Sequence, residues 1–320
     1  MRDILTITLN PAVDFSTAAS FVSAGPKLRC ARPRTDPGGG GINVSRAIRI
    51  LGGDSRCFVA LAGHTGDRLL DMLLDEGIQC LTFKGPGETR QSLAVTDQST
   101  GAQYRFVLPG PDWAQHEADA MLTRVSDLLH PGGIVVLSGS LPPGIPEDFL
   151  ADLCEAVDRS GGQLLADLSG APLVRLANDP SVTTHILRMD QHEAETLNGA
   201  PLPTRADTAV FARALARRNA AHLVIIARGA EGSVLASAEA TLHVAPAKVP
   251  VQSKVGAGDS FVGAFSLALA QDAPLPYAMQ RGTAAAAAAV MTEATELCRA
   301  EDVDRLTPGC QITHLTGSFD

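Results

Sequence analysis

The chain has 320 residues, 45% hydrophobic and 19% charged, with a formal net charge of -9. That length supports one large α/β domain with a small appendage, and the acidic balance argues against nucleic-acid partners, so the few basic residues near glycines gain weight. Six scattered cysteines without Cys-x-x-Cys spacing and eight histidines without a His-x-x-x-His pair argue against a zinc site and read as reduced thiols of a cytoplasmic protein.

Met1 to Ile7 runs directly into a strand pattern, so neither a signal peptide nor a membrane span is expected. Ile4 to Leu9 reads as the first strand, and Asn10-Pro11-Ala12-Val13-Asp14 turns out of it. A carboxylate just past a first strand is either a turn cap or a ligand contact at the carboxyl edge of an open sheet. Residues 15–36 are polar, with Lys27, Arg29, Arg32 and Arg34 near alternate positions, which predicts an exposed strand with one basic face.

Gly38-Gly39-Gly40-Gly41-Ile42-Asn43 then opens a helix from Val44 to Leu51. Four glycines permit close backbone approach to a ligand. The order fits neither the dinucleotide fingerprint nor a Walker loop. Strand patterns at Cys57 to Ala62, Gly133 to Ser138, Gln163 to Leu168, His185 to Arg188 and Leu223 to Ile226 alternate with helical ones. The helices are expected near Asp67–Glu76, Ala114–Leu129, Glu147–Arg159, Gln191–Leu197 and Ala206–Arg218. Such alternation implies a parallel sheet covered on both faces. One segment breaks the rhythm: Gln91 to Thr96 and Gln103 to Leu108 form a hairpin pattern across Gly101. With residues 15–36 it predicts a small second sheet.

Asp14, Ser138, Asp167, Asp190 and Glu193 fall near carboxyl ends of strands, where open α/β sheets collect ligands. Asp190-x-x-Glu193 reads either as a helix capping box or as a carboxylate pair for Mg²⁺. After a β-type run ending at Val251 to Lys254, Val255-Gly256-Ala257-Gly258-Asp259-Ser260 starts an apolar helix through Ala270. Amides at such a helix start bind anions. Asp259 is either a first-turn carboxylate or a base acting on a hydroxyl that attacks a phosphoryl group. Thr283 to Ala294 reads as an alanine helix, and the tail from Arg299 as a surface helix with a frayed end.

Asn10-Pro11-Ala12-Val13-Asp14, Pro37 to Ala47, Ser138-Gly139-Ser140-Leu141-Pro142-Pro143-Gly144 and Gly256 to Ser260, in that order, resemble the signatures of the ribokinase-like (PfkB) carbohydrate kinases. The resemblance spans the chain. It implies one domain over residues 1–320, an α/β three-layer sandwich with a mostly parallel sheet and a small β-sheet lid from about 15–36 and 90–108. Gly25 to Cys30, the four glycines and Tyr104 to Gly110 point to the branch acting on fructose 6-phosphate. Gly40 does too, since relatives acting on fructose 1-phosphate or tagatose 6-phosphate usually carry lysine there.

By that resemblance Asp259 is the general base and the Gly256, Ala257 and Gly258 amides form the anion hole. Asp14, Gly39, Asn43 and Ser138 face the sugar, and Lys27, Arg90 and Arg105 clamp its phosphate, Lys27 across a homodimer made by the lids. Arg188, Gly229, Gly232 and Lys254 serve ATP, and Asp167, Asp190 and Glu193 serve Mg²⁺. No nucleic acid or membrane partner is implied. The nucleotide half departs from the pattern: Asp190 stands where the family carries an amide, Ala227 and Lys254 stand where it carries hydroxyls, and Arg228 is new. The alanine helix lacks the polar residues that relatives place near adenine and a monovalent cation such as K⁺. These departures raise a second expectation, a compact phosphoryl donor held by Lys254 and Arg228. A third is a non-catalytic sugar-phosphate binder.

Overall fold

The computed structural model describes residues 1–179, 181–293 and 296–315. The chain enters through β1 (Ile4–Thr8), β2 (Ala12–Ala19) and β3 (Arg34–Gly38), then α1 (Gly40–Ile50), β4 (Arg56–Leu61), α2 (Gly63–Asp75) and β5 (Cys80–Lys84). The hairpin β6 (Arg90–Asp97) and β7 (Gln103–Val107) follows, then α3 (Gln115–Asp127), β8 (Ile134–Ser138), α4 (Phe149–Arg159), β9 (Gln163–Asp167) and α5 (Ala171–Asn178). The remainder runs β10 (Thr184–Asp190), α6 (Gln191–Asn198), α7 (Arg205–Arg217), β11 (Ala221–Ala227), β12 (Ser233–Ala236), β13 (Thr241–Ala245), α8 (Ala257–Ala270), α9 (Leu275–Ala289), α10 (Ala300–Leu306) and β14 (Gln311–His314).

Ten strands form the main sheet in the order β14-β13-β12-β11-β10-β9-β8-β1-β4-β5. From β11 to β5 all neighbours are parallel; β12, β13 and β14 join antiparallel. Side-chain alternation sends β1 to both faces. Leu5 and Ile7 pack with Met121, Leu153 and Leu215 of α3, α4 and α7. Ile4 packs with Val44, Phe265 and Ala285 of α1, α8 and α9, and Thr6 bonds Ser45 of α1 at 2.8 Å. The result is three layers, helix, sheet and helix, as the sequence pattern predicts. Helix α8 is apolar all round because ten of its residues are buried.

A second sheet has the order β3-β2-β6-β7. The predicted hairpin is there, with Ala94 opposite Arg105. The predicted basic strand is not. Lys27, Arg29 and Arg32 lie on an irregular segment whose link to β2 is a bridge between Ala19 and Cys30, and of that basic set Arg34 alone enters a strand. Alternating charge carries no pairing partner of its own, so it did not make a strand. Asp14 lies inside β2, not in a turn.

Three other expectations are corrected. The run before Gly256 is irregular from Lys248 to Lys254, the strand having ended at Ala245. The alanine helix ends at Ala289, and Ala294 lies outside the described residues. Within the described tail, Gln311 to His314 is not frayed but pairs with β13.

Candidate active site

The carboxyl ends of β8, β9 and β10 stand side by side, with Ser138 in register with Asp167 and Asp167 with Arg188. That register builds a polar row. Arg188 Nη1 donates to Asp167 Oδ1 at 2.8 Å, and Ser138 Oγ donates to Asp167 Oδ2 at 3.2 Å. The row lies under the amino end of α8. An ideal Cβ at Gly258 would stand 3.0 Å from Arg188 Nη1, so the glycine lets a guanidinium approach this helix start.

Gly256 caps α8 in the left-handed region, φ 76°. Asp259, in the first turn, is half-buried. Burial pushes its carboxyl up to about 6, helped by the Asp167 carboxylate and opposed by the Asn43 hydrogen bond, Arg188 and Arg46. Asn43 Nδ2 donates to Asp259 Oδ2 at 2.9 Å. Asn43 owes its position to α1, which starts after Gly39 at φ 131°.

The second sheet supplies the opposite wall. Alternation on β2, β6 and β7 turns Asp14, Ser16, Arg90, Ser92, Gln103 and Arg105 to one face, and all six line a cavity of 460 Å³ together with Gly39, Asn43, Ser138 and Asp259. Arg90 is held by its bonds to the Asn10 carbonyl at 3.1 Å and Ser92 Oγ at 3.2 Å. Burial raises the Asp14 carboxyl above its ordinary range, against the pull of Arg90, Ser92 and Arg105. The cavity thus has guanidinium groups on one wall and a carboxylate with raised proton affinity on the other. It can hold an anionic polyol and remove a proton from it.

Asp167, Glu193, Lys254 and Gly256 also line the cavity. Lys27, Asp190, Gly229 and Gly232 are not among its lining residues, and Arg188 meets it through Asp167. Asp190 and Glu193 form a reciprocal capping box on α6, each carboxylate accepting from the other's backbone N–H. Burial raises Glu193 above its ordinary range. No cluster of three His, Cys, Asp or Glu side chains suited to a metal occurs among the described residues.

Arg228 overturns the sequence expectation. Its side chain is buried and bonds Leu202 O, Pro203 O, Thr208 Oγ1 and Glu231. It pins the segment before α7 and is not available to a donor. Sequence reasoning missed Ser92; its alternation with Arg90 was the available signal.

A model of the pfkB family carbohydrate kinases matches residues 3–302. The chain is 35% identical over 306 residues to the ATP-dependent 6-phosphofructokinase isozyme 2 of Escherichia coli (strain K12), covering 96% of this chain and 98% of that one. It is 34% identical over 302 residues to the enzyme of the same name from Mycobacterium tuberculosis (strain H37Rv), covering 94% and 88%. The crystal structure of phosphofructokinase-2 from Escherichia coli in complex with fructose-6-phosphate superposes with a TM-score of 0.88 at 34% identity, covering 97% of this chain and 99% of that one.

Proposed function

This chain belongs to the pfkB family of carbohydrate kinases, and from that membership we propose that it transfers the terminal phosphoryl group of ATP to fructose 6-phosphate, giving fructose 1,6-bisphosphate. The observation that carries the reading is Asp259: a carboxylate lifted to about 6, at the amino end of α8, facing guanidinium groups across one cavity.

Arg90 and Arg105 hold the phosphate already on the sugar. Asp14, Asn43, Ser138 and the Gly39 backbone orient its hydroxyls. Asp259 accepts the proton of the attacking hydroxyl, and the amides of Gly256 to Gly258 face the oxygens of the transferring group. Asp167 and Glu193 would hold Mg²⁺ at the cavity, their hard oxygens suiting that ion, and bound Mg²⁺ offsets the negative charge of the phosphates. Asp190, exposed and engaged in the cap, is the weaker candidate. Arg188 and Lys254, with Gly229 and Gly232, remain the donor-side residues by resemblance.

The second sheet acts as a lid that excludes water. By strand alternation its face opposite Arg105 carries Leu93, Tyr104 and Phe106, 39%, 41% and 53% exposed, with Leu93 and Phe106 also bordering the cavity. Those side chains support a homodimer through this sheet, with Lys27 serving the neighbouring site. Gly40 supports fructose 6-phosphate over the lysine-bearing branches, because its ideal Cβ would fall 2.3 Å from Ser138 Oγ. The retained base argues against a non-catalytic binder. With Arg228 removed from the donor side, Lys254 is the sole new cation left to a non-ATP donor.

The test is steady-state turnover of fructose 6-phosphate with Mg-ATP, with direct detection of fructose 1,6-bisphosphate. Saturable turnover is expected, exceeding that with tagatose 6-phosphate or fructose 1-phosphate. Binding of fructose 6-phosphate without turnover would move the reading to another donor.

A further inference from the structure

Taking Asp259 as the base, we propose that Arg46 and Glu76 are positioning residues for it: their ion pair fixes the sense in which Asn43 presents its amide to Asp259. Arg46 lies one turn beyond Asn43 on α1 and donates Nη1 to Asn43 Oδ1 at 3.2 Å. The rest of its guanidinium is gripped by Glu76, the residue closing α2, through Nε at 2.5 Å and Nη2 at 2.9 Å. Asn43 then turns Nδ2 to Asp259.

A side-chain amide has one accepting end and one donating end. Arg46 offers donors alone, and ionised Asp259 offers acceptors alone. Turning Asn43 over would set its NH₂ against the guanidinium and its oxygen against the carboxylate, losing both bonds at once. Arg46 therefore dictates the amide's sense. The two-point grip of Glu76 keeps the Arg46 side chain, 11% exposed, from swinging into water. Neither Arg46 nor Glu76 lines the cavity; apart from the Arg46 charge, which favours ionised Asp259 directly, the pair reaches the base by contact through Asn43. The charged groups facing Asp259 from other elements are Asp167 of β9 and Arg188 of β10, and these are bonded to one another rather than to Asn43. The link gives α2, an outer helix, a part in the site.

The experiment compares kcat for wild type, Arg46→Met, Arg46→Lys, Asn43→Ala and the double variant Arg46→Met/Asn43→Ala. Arg46→Met should lower kcat roughly tenfold, the scale of a direct coupling. Arg46→Lys, which keeps a donor for Asn43 Oδ1, should recover part of that. In the Asn43→Ala background, Arg46→Met should cost less than about twofold more, because the residue it acts through is gone. Equal losses in both backgrounds would overturn the proposal. If Arg46→Met does not fold, Glu76→Gln takes its place with the same non-additivity expected. A crystal structure of the folded variant reads the link without turnover: Asn43 should leave Asp259 or split between rotamers, and an unmoved bond overturns the proposal. A wild-type protein that makes no fructose 1,6-bisphosphate would sink the functional reading, while the crystal comparison still decides the link.

Discussion

The Asp14 carboxylate occupies the volume that a side chain at Gly38 would need: an ideal Cβ at Gly38 falls 2.2 Å from Asp14 Oδ2. The two residues sit on paired strands, β2 and β3, with Asp14 opposite Asp36. Gly38→Ala should therefore push Asp14 out of the cavity rather than unfold the sheet. The expected result is a KM for fructose 6-phosphate raised about tenfold or more, on the scale of one displaced charge-assisted hydrogen bond, with a smaller change in kcat. Steady-state kinetics at saturating donor would show it; an unchanged KM would remove Asp14 from sugar binding.

Asp259→Asn keeps the shape of the base and removes its proton affinity. It should lower kcat by about 10²–10⁴-fold, the usual worth of a general base. Fructose 6-phosphate affinity by calorimetry should stay within a few fold. Loss of binding together with rate would mean that Asp259 holds the sugar rather than deprotonating it.

With Asp259 as the proposed base, its raised proton affinity should set the acid limb of the rate. The base works deprotonated, so kcat/KM should be flat above about 6 and fall as pH drops through about 6, approaching tenfold per pH unit. The sign follows from burial and the Asp167 carboxylate, both of which favour the protonated form. An acid limb near the ordinary carboxylate value would show that the closed site hydrates Asp259.

Arg228→Met tests whether that residue serves a donor or the fold. It would take the guanidinium donors from Pro203 O, from Thr208 Oγ1 and from Leu202 O, which keeps Gln191 Nε2, and a buried acceptor left unpaired costs about 1–3 kcal/mol. Denaturant unfolding should show the loss, with the ATP KM nearly unchanged. An altered donor KM at unaltered stability would restore Arg228 to the donor side.

Phe106→Asp puts a charge on the face of the second sheet opposite Arg105. Sedimentation should show a shift from dimer to monomer, without loss of secondary structure, if that face joins two copies. An unshifted species would relocate the interface.

Much of the main sheet was legible because its strands are buried on both faces. Ile134 to Leu137 and Cys57 to Leu61 are each apolar without a break, the pattern of a strand covered on both faces. Gly101 marked the hairpin because a turn there needs positive φ, which the backbone shows at 74°. What failed had no local signal. β14 is exposed throughout and is a strand through its pairing with β13. Arg228 looked like a free cation because burial is decided by residues 20 or more positions away. Asp190-x-x-Glu193 was readable as a capping box from spacing alone, and the reciprocal bonds have that geometry. The bond between Asn43 and Asp259 spans 216 positions, and a motif can name both residues without joining them.

The site is written on two sheets: Asp14, Arg90 and Arg105 belong to the second, Asp259 to a helix on the first. Three residues, Leu9 to Pro11, connect β1 to β2. On the proposed reading, such partition makes acceptor choice and proton chemistry separately heritable. Substitutions on β2, β6 and β7 can redraw which anion is welcomed without disturbing the base, and exchanging the stretches 12–38 and 90–107 between relatives becomes a direct route to retargeting the same catalyst.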